Sequence, residues 1–131
     1  MLAKAIYNLL TTDAPLDALI DDRVSPYVRN REDDFPCVVY TIDNQDILVA
    51  SDLEPLQFSA SVTISALARS FIEAEDVAEA VLDVVAGATG TYAGVCIRSS
   101  HATSIQRDYG DPFDGSADLV YRVHINATIL T

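Results

Sequence analysis

Residues 57–85, QFSASVTISALARSFIEAEDVAEAVLDVV, change rhythm once. Phe58, Ala60, Val62, Ile64 and Ala66 alternate with Gln57, Ser59, Ser61, Thr63 and Ser65. That is the period of a strand with one buried face. After Ser70 the apolar spacing becomes helical, with Phe71, Ala74, Ala78, Val81 and Val85 in one stripe. Ser70 and Glu73 have the spacing of a capping box, and Gly87 is a natural helix stop.

The same reading extends along the chain. Leu2, Ile6, Leu9 and Leu10 predict an amphipathic helix over residues 2–11. Asp13 and Pro15 then cap and open a short helix through Leu16, Leu19 and Ile20. Residues 22–36 are polar with two prolines and read as a loop, with a short extended piece at Val24. CVVYTI is a strand with Val38, Tyr40 and Ile42 on one face. Asp43 to Pro55, acidic at both ends around ILVA, reads as a long strand end or a hairpin arm leaving the core.

Thr91 to Arg107 predicts one long strand, and DYGDPFDGSAD a turn rich in Asp, Gly and Pro. In LVYRVHINATIL, Leu119, Tyr121, Val123, Ile125, Ala127 and Ile129 take the core face. The order implies a single α+β domain over residues 1–131. It has two layers: a mostly antiparallel sheet of four to five strands, with helices packed on one face.

Composition narrows the function. At 131 residues the chain holds one core. Half the residues are apolar, but CVVY and ILVA are too short to span a bilayer, so no membrane association is expected. The N-terminal stretch reads as a helix of the mature protein rather than a signal peptide. Twenty acids against eight bases give a net charge of −12, and the bases are scattered, which excludes a counterion-displacing nucleic-acid surface. Cys37 and Cys96 fall in predicted strands and read as buried reduced thiols, a disulfide between neighbouring strands remaining open.

No catalytic constellation emerges. His101 and His124 lack a metal-ligand partner at close spacing. Asp108, Asp111, Asp114 and Asp118 do not follow the spacing of a calcium loop, and no Glu occurs after Glu79. Nucleophile elbows and glycine-rich phosphate loops are missing, and no pair of carboxylates stands out. The expectation is a non-enzyme without metal or cofactor. What remains is the grammar of an interface. The outer strand face of Ser59, Ser61, Thr63 and Ser65 is hydroxylated rather than charged, and suits contact with another copy, a merely solvated face being the alternative. The arm places Ile47, Leu48 and Val49 among acids, an apolar group a monomer has reason to hide.

In order, these pieces resemble the tail-terminator or tail-completion proteins of long-tailed bacteriophages and related particles. The resemblance rests on PLDALIDDRV, on FPCVVYTI after a loop, on a variable arm, and on FSASVTISALARS running into FIEAEDVAEAVLDVV before two closing strands. Cys37 departs from many relatives without disturbing the strand. The resemblance implies a virion protein assembled in the host cytoplasm into a ring, typically hexameric. Such a ring caps the tail tube, meets a head-completion or neck protein, and passes DNA through its lumen without specific binding. Acidic balance fits such a lumen, and Asp43, Asp46, Asp52 and Glu54 of the arm with Asp108, Asp111 and Asp114 of the loop are its candidates. Two alternatives stay open: another neck or head-completion connector subunit, and a small-molecule-binding regulatory α+β domain.

Overall fold

The computed structural model describes residues 2–21, 23–27, 35–51, 54–110 and 120–131. Two helices open the chain, α1 (Leu2–Thr12) and α2 (Ala14–Ile20). Asp13 caps α2 by accepting the Leu16 amide at 3.1 Å, with Pro15 in the first turn. Between them the helices bury Leu2, Ala5, Ile6, Leu9, Leu10, Leu16 and Ile20, the stripe that amphipathic spacing requires.

Strand β1 (Val24–Pro26) is a short edge strand that tolerates Pro26, and the Tyr27 amide beyond it still donates to the Tyr40 carbonyl at 2.9 Å. It pairs in parallel with β2 (Cys37–Ser51) at Val24↔Val38. The pairing is reinforced by the Val38 amide on the Arg23 carbonyl and by Arg23 Nε on the Pro36 carbonyl, each at 2.9 Å. The arm reading of residues 43–55 resolves as a hairpin: β2 runs on to Ser51, which pairs with Glu54 of the antiparallel β3 (Glu54–Ala68). Bulges interrupt the pairing after Ile42 and again after Ile47. The Arg69 guanidinium stands 4.7 Å from the Phe35 ring centroid, tying the approach to β2 onto the end of β3.

Helix α3 (Phe71–Val85) follows, capped by Ser70 Oγ on the Glu73 amide at 3.1 Å. The chain closes with β4 (Gly90–Tyr92), β5 (Val95–Ile97), β6 (Ser99–Gly110) and β7 (Val120–Leu130). The main sheet has the order β1-β2-β3-β7-β6 and is antiparallel after its first pair, while β4 and β5 form a small hairpin of their own. Helix α3 lies across β3 and β7. Ala60, Val62, Ile64 and Ala66 of β3, with Val123, Ile125, Ala127 and Ile129 of β7, form the sheet side of the core. The Tyr40 hydroxyl donates to the Ala3 carbonyl at 3.1 Å, pinning α1 to the sheet, and burial raises its pKa.

The fold is the expected two-layer α+β arrangement, with local corrections. The strand predicted over Thr91–Arg107 is broken by a two-residue turn at Ala93 and Gly94, both with positive φ, 49° and 81°. That is the conformation of a tight hairpin turn. The apolar residues on either side keep strand rhythm, so the break left no mark on the pattern. The predicted turn loses its first residues, because Asp108, Tyr109 and Gly110 belong to β6. Cys37 is buried as expected, but Cys96 is exposed on the small hairpin. Phe71 is not in the α3 stripe: as the first helical residue it overhangs the sheet and stays 54% exposed. Val77 and Val84 fill the stripe instead.

Candidate functional site

Alternation leaves the second face of the sheet without helices, and there the polar residues meet. Cross-strand pairing sets Thr63 beside Thr41 on one side and Asn126 on the other, and Ser65 beside His124. On β6, Ser104 faces Asn126 and Asp108 faces Arg122. The result is a hydrogen-bonded surface that crosses all four long strands.

Its first half is centred on Asp43. Thr41 Oγ1 donates to Asp43 Oδ1 at 3.0 Å, and Thr63 Oγ1 to Asp43 Oδ2 at 2.6 Å. Thr63 has one hydroxyl proton, so its 3.0 Å contact with Asn126 is satisfied when the amide turns its NH₂ towards Thr63. The Ser104 hydroxyl, 2.8 Å from the other end of that amide, then donates to the amide oxygen. Every member of this row acquires a complementary partner.

The second half is centred on His124. Ser65 Oγ lies 2.7 Å from Nδ1, and Asp108 Oδ2 lies 3.2 Å from Nε2. Arg122 Nε donates to Asp108 Oδ1 at 2.5 Å. Partial burial by itself would raise the Asp108 pKa. The hydrogen bonds from Arg122 and His124 outweigh it and hold the carboxyl below its ordinary value. Asp108 offers an acceptor to a proton on Nε2, and the tautomer that carries it there presents Nδ1 as an acceptor to the Ser65 hydroxyl.

Serine, histidine and aspartate thus stand in the contact order of a hydrolytic triad, a juxtaposition the sequence does not advertise. The contacts tie β3, β7 and β6 together across the outer face. Asp108 is already claimed by Arg122, and Ser65 lies inside a central strand, between Val39 and His124, where its backbone groups belong to the ladder. An oxyanion hole needs amides aimed at the developing charge. Asp108 is occupied in this network by Arg122 and His124. Among the described residues, no group of three or more His, Cys, Asp or Glu side chains is placed to hold a metal.

The other predicted positions divide as follows. Ser59 is half-buried and Ser61 exposed on this outer face; Thr63 and Ser65 are half-buried in the network. Asp43, Asp46 and Asp108 are exposed. Ile47 pairs with Phe58 on the helix side of the sheet, yet is 61% exposed. Asp52, Asp111, Asp114 and Asp118, and the side chains of Leu48, Val49 and Glu54, lie outside the described residues. No helix is long and apolar enough to cross a membrane, among the described residues.

A family model described as tail completion protein gp17 matches residues 4–128. Among solved structures, the chain is similar to one from the virion of a native gene transfer agent particle. The TM-score is 0.64 and the identity 20%, over 96% of this chain and 91% of that one. No curated protein matches the chain.

Proposed function

The chain belongs to the gp17 tail completion family, a structural tail protein of phage-like particles, and from that premise we propose that it works as a ring. The ring, a hexamer, caps the tail tube and joins it to the neck, and DNA passes through its lumen. Its place is the virion, and its role needs no catalysis.

The observation that carries association is the β2–β3 arm. Ile47 occupies the buried side of the sheet by register and is nonetheless 61% exposed. Burying an isoleucine side chain contributes about 1.5–3 kcal/mol, which a monomer forgoes. On the outer face, Thr63 and Ser65 already commit their hydroxyls to Asp43 and His124. Ser59 and Ser61 are therefore the hydroxyls this face offers to a neighbouring subunit, together with the apolar run Ile47, Leu48 and Val49.

The lumen reading rests on charge. At −12 the protein repels DNA and lets it slide. Asp108 is compensated by Arg122, so Asp43 and Asp46, with Asp52, Glu54, Asp111 and Asp114, stand ahead of it as lumen candidates.

Light scattering after gel filtration, with and without the tail-tube protein, tests the ring. A chain that stays monomeric and ignores tube ends refutes it. Electron microscopy of particles lacking the protein separates the two tail roles: a missing terminator leaves overlong tails, whereas a missing neck connector leaves tails of normal length unjoined to heads.

A further inference from the structure

The sheet is polarised in charge from one side to the other. Strands β2 and β3 carry Asp43, Asp46 and Glu54 and no Lys, Arg or His. Strands β6 and β7 carry the guanidiniums Arg107 and Arg122 against the one carboxylate Asp108, with Glu75 of α3 reaching Arg107 from the helix layer. Because the order is β2-β3-β7-β6, the acidic and basic pairs lie on opposite sides of the sheet.

Each side also exposes apolar surface. On the acidic side it is Ile47. On the basic side Phe71, Tyr109 and Tyr121 form an open aromatic corner where α3 begins. The Phe71 and Tyr121 rings meet edge to face at 6.3 Å, and Tyr109 lies 6.4 Å from Tyr121. Tyr109 is 68% exposed. The corner borders an open cleft of about 150 Å³, walled also by Arg107, Arg122, Val123 and Asp108, the last already paired with Arg122. A cavity of that size accepts a benzene-sized apolar group, so one isoleucine side chain suits it.

The faces correspond as well. Ile47 is on the helix side of its strand and Asp46, opposite Ser59, on the outer side. At the corner, Arg107, which reaches Glu75 of α3, is on the helix side, and Arg122 is on the outer side. A guanidinium has five N–H donors, so both arginines retain donors beyond their present bonds.

We infer that neighbouring copies join head to tail, the arm of one seating Ile47 in the Phe71–Tyr109–Tyr121 cleft of the next with Asp46 directed at Arg122. The inference rests on the ring reading and supplies its interface. Arm and cleft are different surfaces, so the contact is heterologous, the kind that generates rings when the rotation closes. It also withdraws Asp46 from the lumen.

Two variants that leave the core untouched test it: Ile47→Arg, which spoils the arm and sets a cation against Arg107 and Arg122, and Tyr109→Asp, which spoils the cleft and repels the acidic arm. Both positions are exposed, and unchanged melting confirms folding. Under conditions where the wild type assembles, each variant alone is expected to lose association roughly 30-fold or more. Mixed in equal amounts they should form a heterodimer and nothing larger, through the one intact arm and the one intact cleft. Wild-type-sized assemblies from either variant, or a mixture that stays monomeric, overturn the interface while leaving the ring. A wild type that never assembles, even with tail-tube protein, overturns the ring reading itself.

Discussion

The Ser65 hydroxyl and Nδ1 of His124 face each other at 2.7 Å across the central strand pair of the sheet. Asp108 holds the far nitrogen of the same ring and is itself held by Arg122. The chain of contacts ties β3, β7 and β6 together across the outer face and commits the Ser65 hydroxyl to the imidazole. A fluorophosphonate probe should therefore leave Ser65 unlabelled, as read by mass spectrometry of the intact protein. Stoichiometric labelling at Ser65 would contradict the structural role.

Acid should loosen this face and the α3–β6 contact. The folded-state pKa of Asp108 is lowered, as is that of Glu75, chiefly by its hydrogen bond from Arg107. A lowered carboxylate pKa means that the unfolded chain binds the proton more readily. Its stabilisation is complete above the ordinary carboxylate range and is lost as pH falls from about 4 through the lowered folded value. Urea midpoints measured between pH 6 and 2 should fall in that window. Asp108→Asn and Glu75→Gln should each flatten the fall, and a slope unchanged in both variants would refute the assignment.

Ile64 sits at the centre of β3 and is 1% exposed, whereas Ser61 is exposed on the opposite face. Ile64→Ala should cost about 2–5 kcal/mol in urea unfolding. Ser61→Ala should stay within about 0.5 kcal/mol. Equal costs would mean that the two faces had been assigned wrongly.

Ser70 ends the rhythm of β3 and starts α3 by accepting the Glu73 amide. Ser70→Ala should cost about 1 kcal/mol, and Ser70→Asp should recover most of it. The check is thermal melting of the three proteins side by side, and Ser70→Asp melting no higher than Ser70→Ala would deny the cap.

The turn at Ala93–Gly94 gives a sharper local test. Gly94 has φ +81° with open space around the position of a Cβ. Gly94→Ala is therefore penalised by backbone conformation alone, by roughly 1 kcal/mol. Gly94→Asn, which tolerates that region better, should melt above Gly94→Ala.

What the sequence determined by itself was everything governed by local period. Alternation at Phe58–Ala66 and Val123–Ile129 names the buried face of two strands, because a side chain two residues on must return to the same side. Ser70, Glu73 and Asp13 mark helix starts for an equally local reason, since a cap acts within one turn. The family resemblance was legible for the same cause: it lies in the succession of such elements.

Tertiary structure decided what sequence distance conceals. The break at Ala93–Gly94 depends on two positive φ angles, which apolar spacing does not encode. Phe71 fits the α3 stripe by number and leaves it in space, its ring meeting Tyr121 edge to face while staying 54% exposed. Asp108 looked like one acid of a loop. Antiparallel pairing of β6 with β7 brought it to Arg122 and His124, and pairing of β3 with β7 added Ser65. The charge polarity of the sheet arises likewise, from a strand order that sets β2–β3 on one side and β6–β7 on the other.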